Sequence, residues 1–102
     1  AAASGRVTLP AIIPLDEIEC ARDRLHGLGV RTPLVRLAMP CSGADVWLKL
    51  ESLQPIGSFK IRGAGSAMRL AGSHRLRDGV WTASAGNMAQ GVAWCAREMG
   101  IA

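Results

Sequence analysis

The sequence predicts an α/β fold, a partial parallel sheet with flanking helices. Two observations predict it. Two short runs rich in β-branched and aromatic residues, 46–50 and 80–83, each lead into a stretch with helical apolar spacing. A further apolar residue, Ile101, follows the second helix directly and reads as the start of another strand. The order strand, helix, strand, helix, strand is the alternation from which parallel sheets are built.

With 102 residues the chain suffices for one small domain. An apolar content of 49% is that of a globular chain. The net charge of +4 comes from scattered basic residues with only 4% aromatics, which does not suit a nucleic-acid binder. No run of 18 apolar residues exists, so no membrane-spanning helix is expected. The three cysteines, Cys20, Cys41 and Cys95, lack metal-ligand spacing and read as free thiols in a reducing cytoplasm. His26 and His74 have no His or Cys partner three or four residues away and read as surface residues, so no metal site is expected. The chain starts Ala1-Ala2-Ala3-Ser4-Gly5-Arg6, without Met or a signal-like apolar core, and stops at Gly100-Ile101-Ala102. It therefore reads as an excerpt of a longer protein.

Residues 1–14, punctuated by Pro10 and Pro14, read as a tail or arm. Asp16 is a candidate N-cap for a first helix, with acidic residues in its first turn and Arg22, Arg24 and His26 in its last. Ile18, Ala21, Leu25 and Leu28 form its apolar stripe, and Gly27 and Gly29 are available as C-caps. Residues 30–37 are extended, and Pro33 points to an edge strand or strap. Residues 39–45 form a turn, and 46–50 a strand. A second helix runs from about Phe59 to Leu70 or Ala71, with a stripe of Ile61, Ala64, Ala67, Met68 and Ala71, and ends at Gly72-Ser73-His74. Gly63 and Gly65 inside it cost roughly 1 kcal/mol each relative to Ala, which suggests a close approach to the backbone. A third helix carries Ala89, Val92, Ala93, Ala96 and Met99 and is capped by Gly100.

The chemistry lies at two strand-to-helix junctions. Pro55 and Gly57 break the chain just before Lys60, which puts this lysine at a helix start. The helix dipole disfavours a cation there by a few tenths to about 1 kcal/mol, and a neutral amine is the form that Schiff-base chemistry uses. At the second junction stands Ser84-Ala85-Gly86-Asn87-Met88-Ala89-Gln90-Gly91. Free backbone N–H groups at such a helix start hold a carboxylate or phosphate. Ser84 or Asn87 could equally be a plain helix cap.

The residues Gly57-Ser58-Phe59-Lys60-Ile61-Arg62-Gly63-Ala64 closely resemble the Ser-Phe-Lys-x-Arg-Gly-Ala motif of the threonine dehydratase and serine racemase family. These enzymes depend on pyridoxal 5′-phosphate (PLP) and share the tryptophan-synthase-β fold, also called fold type II. Lys49-Leu50-Glu51-Ser52-Leu53-Gln54-Pro55 resembles the family's lead-in strand, and Thr32-Pro33-Leu34 an earlier segment. The second stretch resembles the family's Ser-Ala-Gly-Asn-His-Ala-Gln-Gly loop, departing only at Met88. A thioether cannot donate a hydrogen bond as that histidine can. The two motifs stand in one order, 24 residues apart from Lys60 to Ser84.

The resemblance implies that Lys60 holds PLP as a Schiff base, that Phe59 flanks the cofactor ring and that Asn87 contacts the PLP 3′-oxygen. Ser84, Ala85, Gly86 and Asn87 would hold the carboxylate of an amino-acid substrate. Arg62 could serve the site, but a solvated or structural ion pair is the simpler role. Residues 15–102 would be the N-terminal portion of the catalytic domain of a homo-oligomeric parent. The family's glycine-rich phosphate loop and its residue at the pyridine nitrogen are not found in this stretch, so the chain alone is expected to bind PLP weakly and turn over little. Ala85 stands where serine racemases carry a proton-donating serine, which favours a dehydratase (ammonia-lyase) giving a 2-oxo acid and ammonia. A racemase, a β-replacement enzyme and a non-catalytic interaction module stay open.

Overall fold

A computed structural model describes residues 11–38 and 43–102. The tail over 1–10 and most of the turn at 39–42 lie outside the described residues. Residues 11–14 are exposed and without regular structure.

Helix α1 spans Leu15–Arg24. Pro14, not Asp16, occupies the N-cap position, and the Asp16 carboxylate accepts the neighbouring Glu17 N–H instead. Proline suits this boundary because its extended backbone already halts the preceding chain. The apolar stripe is buried only at its far end. Ile18 is exposed, Leu25 is half-buried and Leu28 is buried. Gly27 and Gly29 both take positive φ, 76° and 88°, and turn the chain away.

Strand β1 (Leu34–Arg36) pairs with β2 (Trp47–Lys49) in register Leu34↔Lys49, Val35↔Leu48 and Arg36↔Trp47. The pairing is antiparallel. The expected parallel arrangement is therefore corrected: among the described residues the sheet is a two-stranded antiparallel one. The chain between β1 and β2 is too short for the crossover that parallel strands require, so β2 meets its sequence neighbour rather than a strand across the following helix. Residues 80–83 form no assigned strand; a single bond joins the Val80 N–H to the Ala102 carbonyl at 2.9 Å.

A 3-10 turn, Glu51–Leu53, leads from β2 into the elbow before helix α2, Lys60–Arg75. Gly72 breaks the regular helix with φ 80°, where the sequence ends it. Helix α3 spans Asn87–Met99, and left-handed Gly100 caps it at φ 66°.

The core is the face of α2 made by Ile61, Ala64 and Met68, joined by Leu28, Cys95 and Ala96. Gly65, rather than Ala67, completes the α2 face, since Gly65 is buried and Ala67 exposed. A Cβ at Gly65 would stand 2.2 Å from Leu28 Cδ2 and 3.5 Å from Cys95 Sγ. The missing side chain thus lets α1's C-terminal turn and α3 both close on α2. Arg69 reinforces the first contact by donating to the carbonyls of Arg24 and His26. Helix α3 turns Gly91, Cys95 and Ala96 to the core. The other side of its stripe, Ala89 and Ala93, borders an apolar groove of about 450 Å³ with Val80 and Ile101.

Candidate active site

Lys60 is the first residue of α2, where the sequence places it. Its backbone N–H approaches Ser58 Oγ at 3.4 Å, so Ser58 steadies the turn into the helix. The Lys60 Nζ lies 4.6 Å from the centroid of the Phe59 ring. Such a contact is worth about 0.5–1 kcal/mol at an exposed site. The amine makes no hydrogen bond or ion pair among the described residues. Phe59 is 58% exposed, so its ring is accessible to a flat partner.

At the other junction, residues 84–87 are exposed. The N-cap of α3 is Gly86, at φ −140° and ψ −145°, and neither Ser84 nor Asn87 caps the helix through its side chain. The cap alternative is thus not what these side chains do. Ser84 Oγ instead accepts the Gly86 N–H at 3.2 Å. The first bonds into the helix run from the Ala89 and Gln90 N–H groups to the Gly86 carbonyl. The N–H groups of Asn87 and Met88 have no partner among the described residues. The Met88 side chain is half-buried and packs on the core.

The two junctions meet through Gly91. A Cβ built on it would lie 3.2 Å from both the carbonyl carbon and oxygen of Lys60, and 3.5 Å from Ala64 Cβ. One turn further along, the Cys95 thiol reaches the Ile61 carbonyl at 3.8 Å. Gly91 and Cys95, one turn apart on α3, thus both rest on the first turns of α2. Asn87 precedes Gly91 by one turn, roughly 5 Å of rise. The α3 start is therefore one turn of α3 away from the contact with the Lys60 backbone. Sequence reading matched Gly91 to the second motif but gave it no role; a glycine at the end of a motif carries no sign of what it packs against.

Arg62 does not join this end of the site. It forms a two-point ion pair with Glu51, at 2.8 and 2.7 Å. The Glu51 carboxylate also accepts from Thr32 Oγ1 at 2.5 Å and from Gln54 Nε2 at 3.2 Å. The Arg62 hydrogen bonds hold its pKa at about 2, against 4.5 ordinarily, with burial opposing and Thr32 and Gln54 assisting. Gln54 is buried and bonds both the N–H and the carbonyl of Val30, at 2.9 and 2.8 Å. Lys49 donates to the Thr32 carbonyl. Of the chain's two lysines, Lys49 is thus engaged and Lys60 is not.

The donor set fits the two ends of an amino-acid reaction on PLP. A free primary amine suits an aldehyde, and unpaired N–H groups at a helix start suit a carboxylate. Among the described residues no group of His, Cys, Asp or Glu is assembled to hold a metal ion.

The sequence profile of a family described as "Pyridoxal-phosphate dependent enzyme" matches residues 26–102. The chain is also similar to the catabolic L-threonine dehydratases of Staphylococcus aureus strains USA300, NCTC 8325 and N315. Each is 40% identical to it over 93 residues, covering 88% of this chain and 27% of the relative. The chain thus spans about a quarter of the length of these curated relatives.

Proposed function

The chain belongs to the pyridoxal-phosphate-dependent enzyme family, and from that premise we propose that it carries the lysine and the carboxylate-binding loop of a threonine or serine dehydratase. The net reaction removes water from a hydroxy amino acid across Cα–Cβ, and hydrolysis then gives a 2-oxo acid and ammonia. PLP, when bound, supplies the electron sink for the carbanion left by the α-proton.

In this reading Lys60 would hold the cofactor through Nζ, and the same amine, when free, would be the base for the substrate's α-proton. Phe59, exposed beside Lys60, would flank the cofactor ring. Ser84, Ala85, Gly86 and Asn87 would hold the substrate carboxylate, through free backbone N–H groups such as that of Asn87 and through the Asn87 amide, and so would align the Cα–H bond for Lys60. Asn87 would also serve the cofactor's 3′-oxygen. The observation that supports the reading is the Gly91–Lys60 packing, which brings the backbone of Lys60 against α3 one turn after Asn87. The similarity to L-threonine dehydratases suggests the substrate class.

Ala85 favours elimination over racemisation, because its methyl has no proton to give to the opposite face of the substrate. Product analysis of the PLP-loaded enzyme tests this. Serine or threonine should yield 2-oxo acid and ammonia in equal amounts. Accumulation of the D-amino acid without ammonia would overturn the reading.

A further inference from the structure

The Glu51–Arg62 ion pair closes across the elbow that carries Lys60. Glu51 belongs to the 3-10 turn before the elbow and Arg62 to the first turn of α2 after it. Between them run Pro55 and Gly57, the latter with φ 70°. Gln54 and Ser58 are buried and Ile56 packs on the core, whereas Leu53, Gly57 and Phe59, which flank the lysine, are exposed. A bidentate guanidinium–carboxylate pair fixes orientation as well as distance.

The pair is also tied to the rest of the fold. Both Glu51 oxygens take a second donor, Thr32 on one and Gln54 on the other. Gln54 in turn grips Val30. The Glu51 carboxylate is thus a fixed post set by residues 30–32, and Arg62 ties the start of α2 to it. Residues two apart on a helix point about 200° from each other. Arg62 therefore holds the side of α2 away from Lys60, and by doing so fixes how far the first turn is rotated about its axis.

We propose that the Glu51–Arg62 clasp is a positioning device for Lys60, setting the rotation of the first turn of α2 and so the direction in which the amine meets the cofactor. The proposal rests on the reading of Lys60 as the anchor. Glu51 and Arg62 act through Lys60 and are positioning residues.

The test uses the full chain, PLP and borohydride, which delivers hydride to the carbon of a lysine–PLP C=N bond while the nitrogen takes a proton, leaving a stable amine. Peptide mapping then gives the ratio of label on Lys60 to label on Lys49, with helical circular dichroism followed in parallel. Glu51→Gln and Arg62→Gln should each lower that ratio about fivefold with the helical signal kept. The exchanged pair, Glu51→Arg with Arg62→Glu, should recover at least half of the loss, and it decides the matter where a single variant loses helical signal. A ratio unchanged within about twofold in both single variants, or an exchange as poor as the singles, would overturn the proposal. Equal labelling of both lysines in the unaltered chain would instead overturn the reading of Lys60 itself.

Discussion

Gly91 of α3 rests against the backbone of Lys60, close enough that a Cβ would stand 3.2 Å from both its carbonyl carbon and its oxygen. The last residue of one motif is thus the packing partner of the central residue of the other. The three inward or outward glycines of α2 and α3 separate the effects that govern this contact. Replacing Gly by Ala inside a helix gains up to about 1 kcal/mol of propensity, while overpacking costs about 1–3 kcal/mol. Gly63 has nothing within 4 Å of a Cβ, so Gly63→Ala should stabilise the chain. Gly65→Ala meets the buried Leu28 and should destabilise it by about 1–2 kcal/mol net. Gly91→Ala meets backbone at 3.2 Å, a smaller overlap than the 2.2 Å at Gly65, and should destabilise more mildly while shifting α3 off α2. Urea unfolding of the three variants gives the order directly.

The clasp predicts an acid transition. Glu51 has its pKa depressed from 4.5 to about 2, so the stability it confers is fully present above pH 4.5 and is lost as pH falls toward 2. Because the Arg62 side chain is 40% exposed, the contribution is discounted to about 1–2 kcal/mol. Urea midpoints measured at pH 6 and pH 3 should differ by less in Glu51→Gln than in the unaltered chain.

Gln54 should be worth more than its place in a turn suggests. It is 5% exposed and serves both polar groups of Val30. Gly29 makes room for it, since a Cβ there would lie 2.9 Å from Gln54 Oε1. Gln54→Ala should cost about 1–3 kcal/mol and leave the Val30 N–H unpaired. Hydrogen exchange at the Val30 amide, protected in the unaltered chain, should become fast.

The cysteines should divide by environment. Cys95 is fully buried and burial pushes its thiol pKa up, whereas Cys20 is exposed. Iodoacetamide should modify Cys20 in the native chain and reach Cys95 only after denaturant is added.

What the sequence revealed was local. The Lys60 helix start, the Gly72 break and the Gly100 cap each follow from residues adjacent in the chain. The Arg62 ion pair was expected as a type, but its partner was not, because Glu51 lies 11 residues away, off any helical spacing. Gln54 and Val30 are 24 residues apart and no periodicity joins them. The parallel sheet failed for a related reason. Strand alternation tells which segments are extended, not which of them pair, and β2 pairs with β1 across a short connection. Asp16 looked like a cap because its residue type prefers that place, yet Pro14 two residues earlier already starts the helix.

The central claim is that Lys60 anchors the cofactor. Adding PLP to the full chain and to Lys60→Ala, and comparing the absorbance of the lysine–PLP imine, tests it most directly. The account predicts a band in the unaltered chain and none in Lys60→Ala, although Lys49 remains. A band of equal strength in Lys60→Ala would contradict it.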